Sequence, residues 1–137
     1  MSEETQDWSK FVLLAIALVA MPTSLWMLFA PEHWYSNFPA EIPDFGAFNV
    51  HFVRDLGCIY LTWSVAAVWA ALRPAVRPAI VSIAALFFWA HAIIHIFDTL
   101  RGHVHASHFL LDFPTTYLPA ILLLFMLYGT KRIRTVR

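Results

Sequence analysis

The chain has 137 residues, of which 60% are hydrophobic and 13% charged, with nine Lys and Arg against nine Asp and Glu. A mean hydropathy of +0.64 is too apolar for an ordinary soluble domain of this length. The single cysteine, Cys58, excludes an internal disulfide and a cysteine-rich zinc module.

The first predicted element covers residues 11–29, an uncharged run long enough for the roughly 20 residues that cross about 30 Å of hydrocarbon. Its head carries Glu3, Glu4 and Asp7 against Lys10, the run is longer than a signal-peptide core, and no small-x-small cleavage site follows. It therefore reads as a retained helix. Pro22 predicts a kink there, with Thr23 and Ser24 at hand for the backbone groups it frees. Residues 31–48, broken by Pro31, Pro39, Pro43 and Gly46, exclude a regular helix. They read as a lid across the mouth of a bundle or as an interfacial re-entry segment. Three more apolar runs follow at residues 48–72, 79–100 and 110–128. Backbone amides inside lipid must be paired within their own segment, so these runs are expected as helices. The expected fold is all-α: an integral membrane four-helix bundle, up-down-up-down, forming one domain over residues 1–137.

Lys and Arg set the expected orientation. Lys10 flanks the first helix, Arg73 and Arg77 occupy the second connection, and Lys131, Arg132, Arg134 and Arg137 form a basic tail. The first connection has no Lys or Arg and the third has only Arg101. Both termini are therefore expected in the cytoplasm of a cell with the chain in its inner (plasma) membrane, and the first and third connections face outward. Trp8, Trp34, Tyr35, Trp69 and Tyr128 fall at the expected interfaces. The tail lacks aromatic interleaving, so it reads as a headgroup anchor and nucleic acid is not an expected partner.

On this topology all seven histidines, with Asp55, Asp98 and Asp112, gather at the outer side. In the second helix His51, Asp55, Cys58 and Thr62 follow at steps of four, three and four and share one stripe, with Arg54 beside it. In the third helix His91, His95 and Asp98 repeat the pattern, and helix four adds Asp112, Thr115, Thr116 and Tyr117 from the same end. A short turn makes helices two and three antiparallel neighbours, which can bring the two stripes together. Ionisable groups at this depth cost about 3 kcal/mol each if they face lipid, so they are expected to face the interior or water.

Three ways of neutralising them stay open. Imidazoles four residues apart, an acid on the next turn and a second His/Asp stripe opposite supply the donors that Zn or Fe accepts. The candidate ligands are His51, His91, His95, Asp55 and Asp98, with Asp55 or Asp98 as candidate catalytic groups orienting a bound water. This points to metal-assisted hydrolysis or oxidation of an amphiphilic substrate. Alternatively, Arg54 pairs with Asp55, Asp98 or Asp112 and neutral histidines bridge the helices. The chain is then a structural or accessory subunit of a membrane complex, or a homo-oligomer. Haem b is a further cofactor reading, with His51 and either His91 or His95 as axial ligands from different helices. The loop histidines His103, His105 and His108 make a compositional metal-capture signal, a pH-sensing cluster or a solvated loop, and His33 reads as interfacial. A proton or ion conduit is disfavoured because the inner half offers only Thr62, Ser64 and Ser82.

The size, the four-helix organisation and the stretch Arg54-Asp55-Leu56-Gly57 resemble the DoxX-like group of small bacterial membrane proteins. That resemblance implies the architecture and carries no reaction with it. The His91 to His95 spacing also looks like one element of membrane di-iron oxygenases, which use more histidine boxes than this chain holds.

Overall fold

The computed structural model describes residues 3–135, with side chains described for residues 8–128. The side chains of Lys131, Arg132 and Arg134 therefore lie outside the described set, as does the whole of Arg137, all of which bear on the expected orientation. The described chain is all-helical. In order it forms α1 (Glu3–Phe29), α2 (Pro31–Asn37), a 3-10 turn (Ile42–Phe45), α3 (Val50–Leu72), α4 (Arg77–Leu100), α5 (His108–Leu111), a π-helical turn (Phe113–Tyr117) and α6 (Leu118–Thr135).

Three helices are long and apolar enough to cross a membrane: Trp8–Phe29, Val50–Leu72 and Arg77–Leu100, at 22, 23 and 24 residues. At about 1.5 Å per residue each reaches past the hydrocarbon thickness of about 30 Å. The fourth apolar stretch, Phe113–Tyr128, is shorter and opens with the π-helical turn. Pro114 and Pro119 sit in and just after that turn, and neither can donate to a regular α-ladder.

α1 packs mainly on α3 and α4 mainly on α6, while α3 with α4 and α1 with α6 touch less extensively. The extensive α1–α3 contact has a sequence cause. Val53, Gly57, Ser64, Ala67 and Ala71 make a buried stripe of small residues on α3. A Cβ added at Gly57 would lie 3.1 Å from Met27 Cβ and from Leu28 Cγ of α1. Small residues on that stripe permit the close backbone approach between the two helices. α4 presents Val81, Ala84, Ala85, Phe88 and Ala92 to a shared core with Leu13, Ala17, Ala120, Leu123 and Met126.

The ends and interruptions are closed by side chains. Asn49 caps α3, accepting from the Phe52 N–H at 3.1 Å. Arg77 is buried, and its guanidinium donates to the Ala70 carbonyl at 2.9 Å and to the Ala71 carbonyl at 3.0 Å, serving the otherwise orphaned last turn of α3. α1 runs through Pro22 without a break. Thr23 and Ser24 donate to the Val19 and Met21 carbonyls, at 2.9 and 2.7 Å, and not to that of Leu18, the one Pro22 leaves free. Thr62, Ser64 and Ser82 likewise donate to carbonyls of their own helices, which removes them as links in a transverse polar path.

The first connection is more ordered than its prolines suggest. Pro31 starts α2, where a missing N–H costs nothing, and Glu32 follows in the first turn. Trp34 is buried with Met27 and Val53. The Tyr35 hydroxyl donates to the Gly46 carbonyl at 2.6 Å, and Gly46 itself adopts φ +135°, closed to side-chain-bearing residues. These contacts hold the 3-10 turn across the histidine-rich end.

Candidate functional site

A cavity of about 640 Å³ lies among the helices and the first connection. Much of its lining is apolar: Ile16, Val19 and Met27 from α1, Phe52, Leu56 and Tyr60 from α3, and Leu118 and Leu122 from α6. Its polar wall is formed by His91, His95 and Asp98 from α4, then Asp112, Thr115 and Thr116 from the start of the fourth stretch. Trp34, Phe38, Ile42 and Phe45 of the first connection close it from above. Among the described residues, no Lys or Arg lines it.

The polar end is organised around Asp112, which is 1% exposed. One carboxylate oxygen lies 2.7 Å from Nδ1 of His95, and the other lies 3.3 Å from Nδ1 of His108. A carboxylate only accepts, so both imidazoles donate through Nδ1, which for His95 fixes the tautomer of the neutral ring. Nε2 of His95 has no hydrogen-bond partner among the described residues and belongs to a cavity-lining side chain. His91 meets His95 edge-on at 4.5 Å between ring centroids and stacks on Phe87 at 5.9 Å.

His108 joins this network to the first connection. It is 0% exposed, and its Nε2 lies 3.2 Å from the Asp44 carboxylate in the 3-10 turn. Phe45 packs on both rings, 4.8 Å from His95 and 4.8 Å from His108. Burial by itself lowers the His108 pKa, but the hydrogen bonds and charges of Asp44 and Asp112 outweigh it and hold the imidazolium above its ordinary range. Glu41, Asp44 and His108 each offer a ligand atom within 4.8 Å of the others, a group that could hold a metal ion. Behind that group, Asp112 stands as the carboxylate that orients the ligating imidazole in many metal sites.

The remaining sequence candidates fall elsewhere. His51 and Asp55 pair with each other at 3.3 Å on α3, with side chains 87% and 60% exposed, and Cys58 and Thr62 share their exposed face. Neither His51 nor Asp55 lines the cavity, so the five-residue set His51, Asp55, His91, His95 and Asp98 is not assembled. α3 is turned by its small-residue stripe, which seats α1 and leaves the His/Asp stripe outside. The same rotation removes His51 as an axial partner of His91 or His95 for haem. Arg54 pairs with none of the three acids; its Nε–H donates to the Leu28 carbonyl at the end of α1, at 3.3 Å. Asp98 keeps its place in the cavity wall and is bonded to His103 at 3.2 Å. His105 is exposed, and His33 accepts from the Trp26 indole at 3.0 Å.

Sequence reading passed over Glu41, Asp44 and Phe45, which sit in a proline-broken connection with no periodicity to mark them. The one available signal was Asp44 placed between Pro43 and Gly46, a turn that must present its side chain in a fixed direction. Comparison with protein-family models, with characterised proteins and with solved structures yields no match.

Proposed function

We propose that the chain is a multi-pass membrane protein that takes an amphiphile into the cavity, chain downward, with the head group at His91, His95, Asp98 and Asp112. In this reading Phe113–Tyr128 completes a fourth span in an up-down-up-down bundle of the inner membrane. Both termini are cytoplasmic and the polar end faces outward. The observation that carries it is the 2.7 Å His95–Asp112 bond at the polar end of an otherwise apolar cavity. A buried acid that fixes an imidazole and leaves its second nitrogen facing a ligand space is the arrangement of a general base. His95 then accepts a proton from the head group or from a water beside it, and Asp112 stabilises the imidazolium that forms. Extraction of the purified protein followed by mass spectrometry tests this reading. An amphiphile should co-purify with the wild type and be lost from Ala20→Trp, which fills the cavity from α1. Equal recovery from a folded Ala20→Trp protein contradicts it.

A second reading is favoured by the grouping of Glu41, Asp44 and His108 within 4.8 Å. Here Zn or Fe binds at the rim, with Asp112 supporting His108 from behind, and assists hydrolysis or oxidation of the head group. Elemental analysis after detergent purification should then find a stoichiometric metal that is lost from both Asp44→Asn and His108→Ala. If neither an amphiphile nor a metal is found, and Asp112→Asn unfolds the protein, the His/Asp network is structural and the chain is an accessory subunit.

A further inference from the structure

The head group that this cavity accepts can be narrowed by what the polar wall offers, an inference that rests on the amphiphile reading above. We infer that the occupant is a neutral amphiphile carrying a hydroxyl group, which donates to Nε2 of His95.

The neutral His95 ring donates its Nδ1–H to the Asp112 carboxylate, so Nε2, the nitrogen left for a ligand, carries a lone pair that needs a donor. A ketone or ester head presents only lone pairs to it and leaves it unmatched. Thr115 and Thr116 of the same polar wall bring hydroxyls to the lining. A hydroxyl head both gives and accepts, and so suits such a wall; a buried polar group left unmade costs more than a formed bond returns.

Charge narrows the class further. Asp98 and Asp112 stand in the polar wall and, among the described residues, no Lys or Arg does, so a carboxylate or phosphate head meets like charge there. An ammonium head meets carboxylates that already accept from imidazoles: Asp112 from His95 and His108, and Asp98 from His103. It would also lose its hydration in a mostly apolar space. Neutral heads are therefore preferred over both signs. Access from the bilayer fits such a molecule, because lining residues at the helix seams, Val19, Phe52 and Ile94, are exposed on the protein surface.

The test is competition in nanodiscs holding the full chain, with tritiated tetradecanol as the probe and empty nanodiscs subtracted. Unlabelled tetradecanol, myristate, tetradecylamine and the methyl ketone of the same chain length are added at equal mole fractions. Tetradecanol is expected to compete at least about ten-fold better than the other three, since a site built for a hydroxyl rejects heads lacking it. His95→Phe, which keeps a ring against Phe45, should level the four competitors while saturable binding persists. Thr115→Val, which removes a hydroxyl from the lining and leaves the His95–Asp112 bond in place, should lower tetradecanol affinity several-fold and serves where His95→Phe does not fold. Better competition by the acid, the amine or the ketone overturns the head-group inference and leaves the amphiphile reading standing. An alcohol preference unchanged in both folded variants also overturns it. Absence of saturable binding by any of the four, in a folded wild type, overturns the amphiphile reading itself.

Discussion

His95 on α4 and Asp112 at the start of the fourth apolar stretch stand 2.7 Å apart, nitrogen to oxygen, with the carboxylate 1% exposed. No other acid in the described residues is held so deeply. Asp112→Asn replaces an acceptor of two imidazole donors with a neutral amide. It should destabilise the protein by about 3–5 kcal/mol, the usual cost of removing one partner from a buried ionic pair. Asp55→Asn, in the exposed His51 pair, should change stability by less than about 0.5 kcal/mol. Thermal unfolding of both variants in the same detergent checks the contrast, and equal effects would contradict the assignment of the two acids.

Gly57 seats α1 on α3. Gly57→Ala puts a methyl group 3.1 Å from Met27 Cβ, a backbone-proximal atom that cannot swing away. Overpacking of this kind costs about 1–3 kcal/mol. Gly57→Leu should be worse, whereas Cys58→Ala, one residue on and exposed, should be neutral. Retention of wild-type unfolding temperature by Gly57→Leu would show that the two helices do not pack as described.

The Arg77 guanidinium closes the last turn of α3 by bonds to the Ala70 and Ala71 carbonyls. Arg77→Ala should cost about 2–3 kcal/mol, since hydrogen bonds to charged donors are the stronger ones. Arg77→Lys should recover only part of that, because one ammonium does not reproduce a planar fork. Unfolding measured in detergent separates the three proteins.

The proposed orientation is checked by cysteine labelling in a Cys58→Ser background. Ser36→Cys, exposed on α2, should react with a membrane-impermeant maleimide added to intact cells, and Ala75→Cys, exposed in the opposite turn, should react only after lysis. The reverse pattern inverts the topology.

Much of the architecture is legible in the run lengths, because a hydrocarbon slab imposes one length and one backbone solution. The grouping of His91, His95 and Asp98 on one face of α4 is likewise a matter of helical period. The facing of α3 was not legible from its polar residues. His51, Asp55, Cys58 and Thr62 make a regular stripe, but so do Val53, Gly57, Ser64, Ala67 and Ala71, and packing against α1 decides between them. The stripe of small residues wins since it permits backbone approach that no larger set allows, and the His/Asp pair is left exposed on the other face. The part played by Asp44 depends on a contact across 64 residues, which no local pattern encodes.

Arg54, Asp55, Leu56 and Gly57 each meet a different environment: the end of α1, an exposed imidazole, the cavity and the α1 backbone. Successive side chains on a helix diverge by about 100°, so four contiguous residues sweep the full circumference. A conspicuous tetrapeptide inside a long apolar helix is thus a seating mark for its neighbours in every direction, and chemistry has to be sought along the rod's length instead.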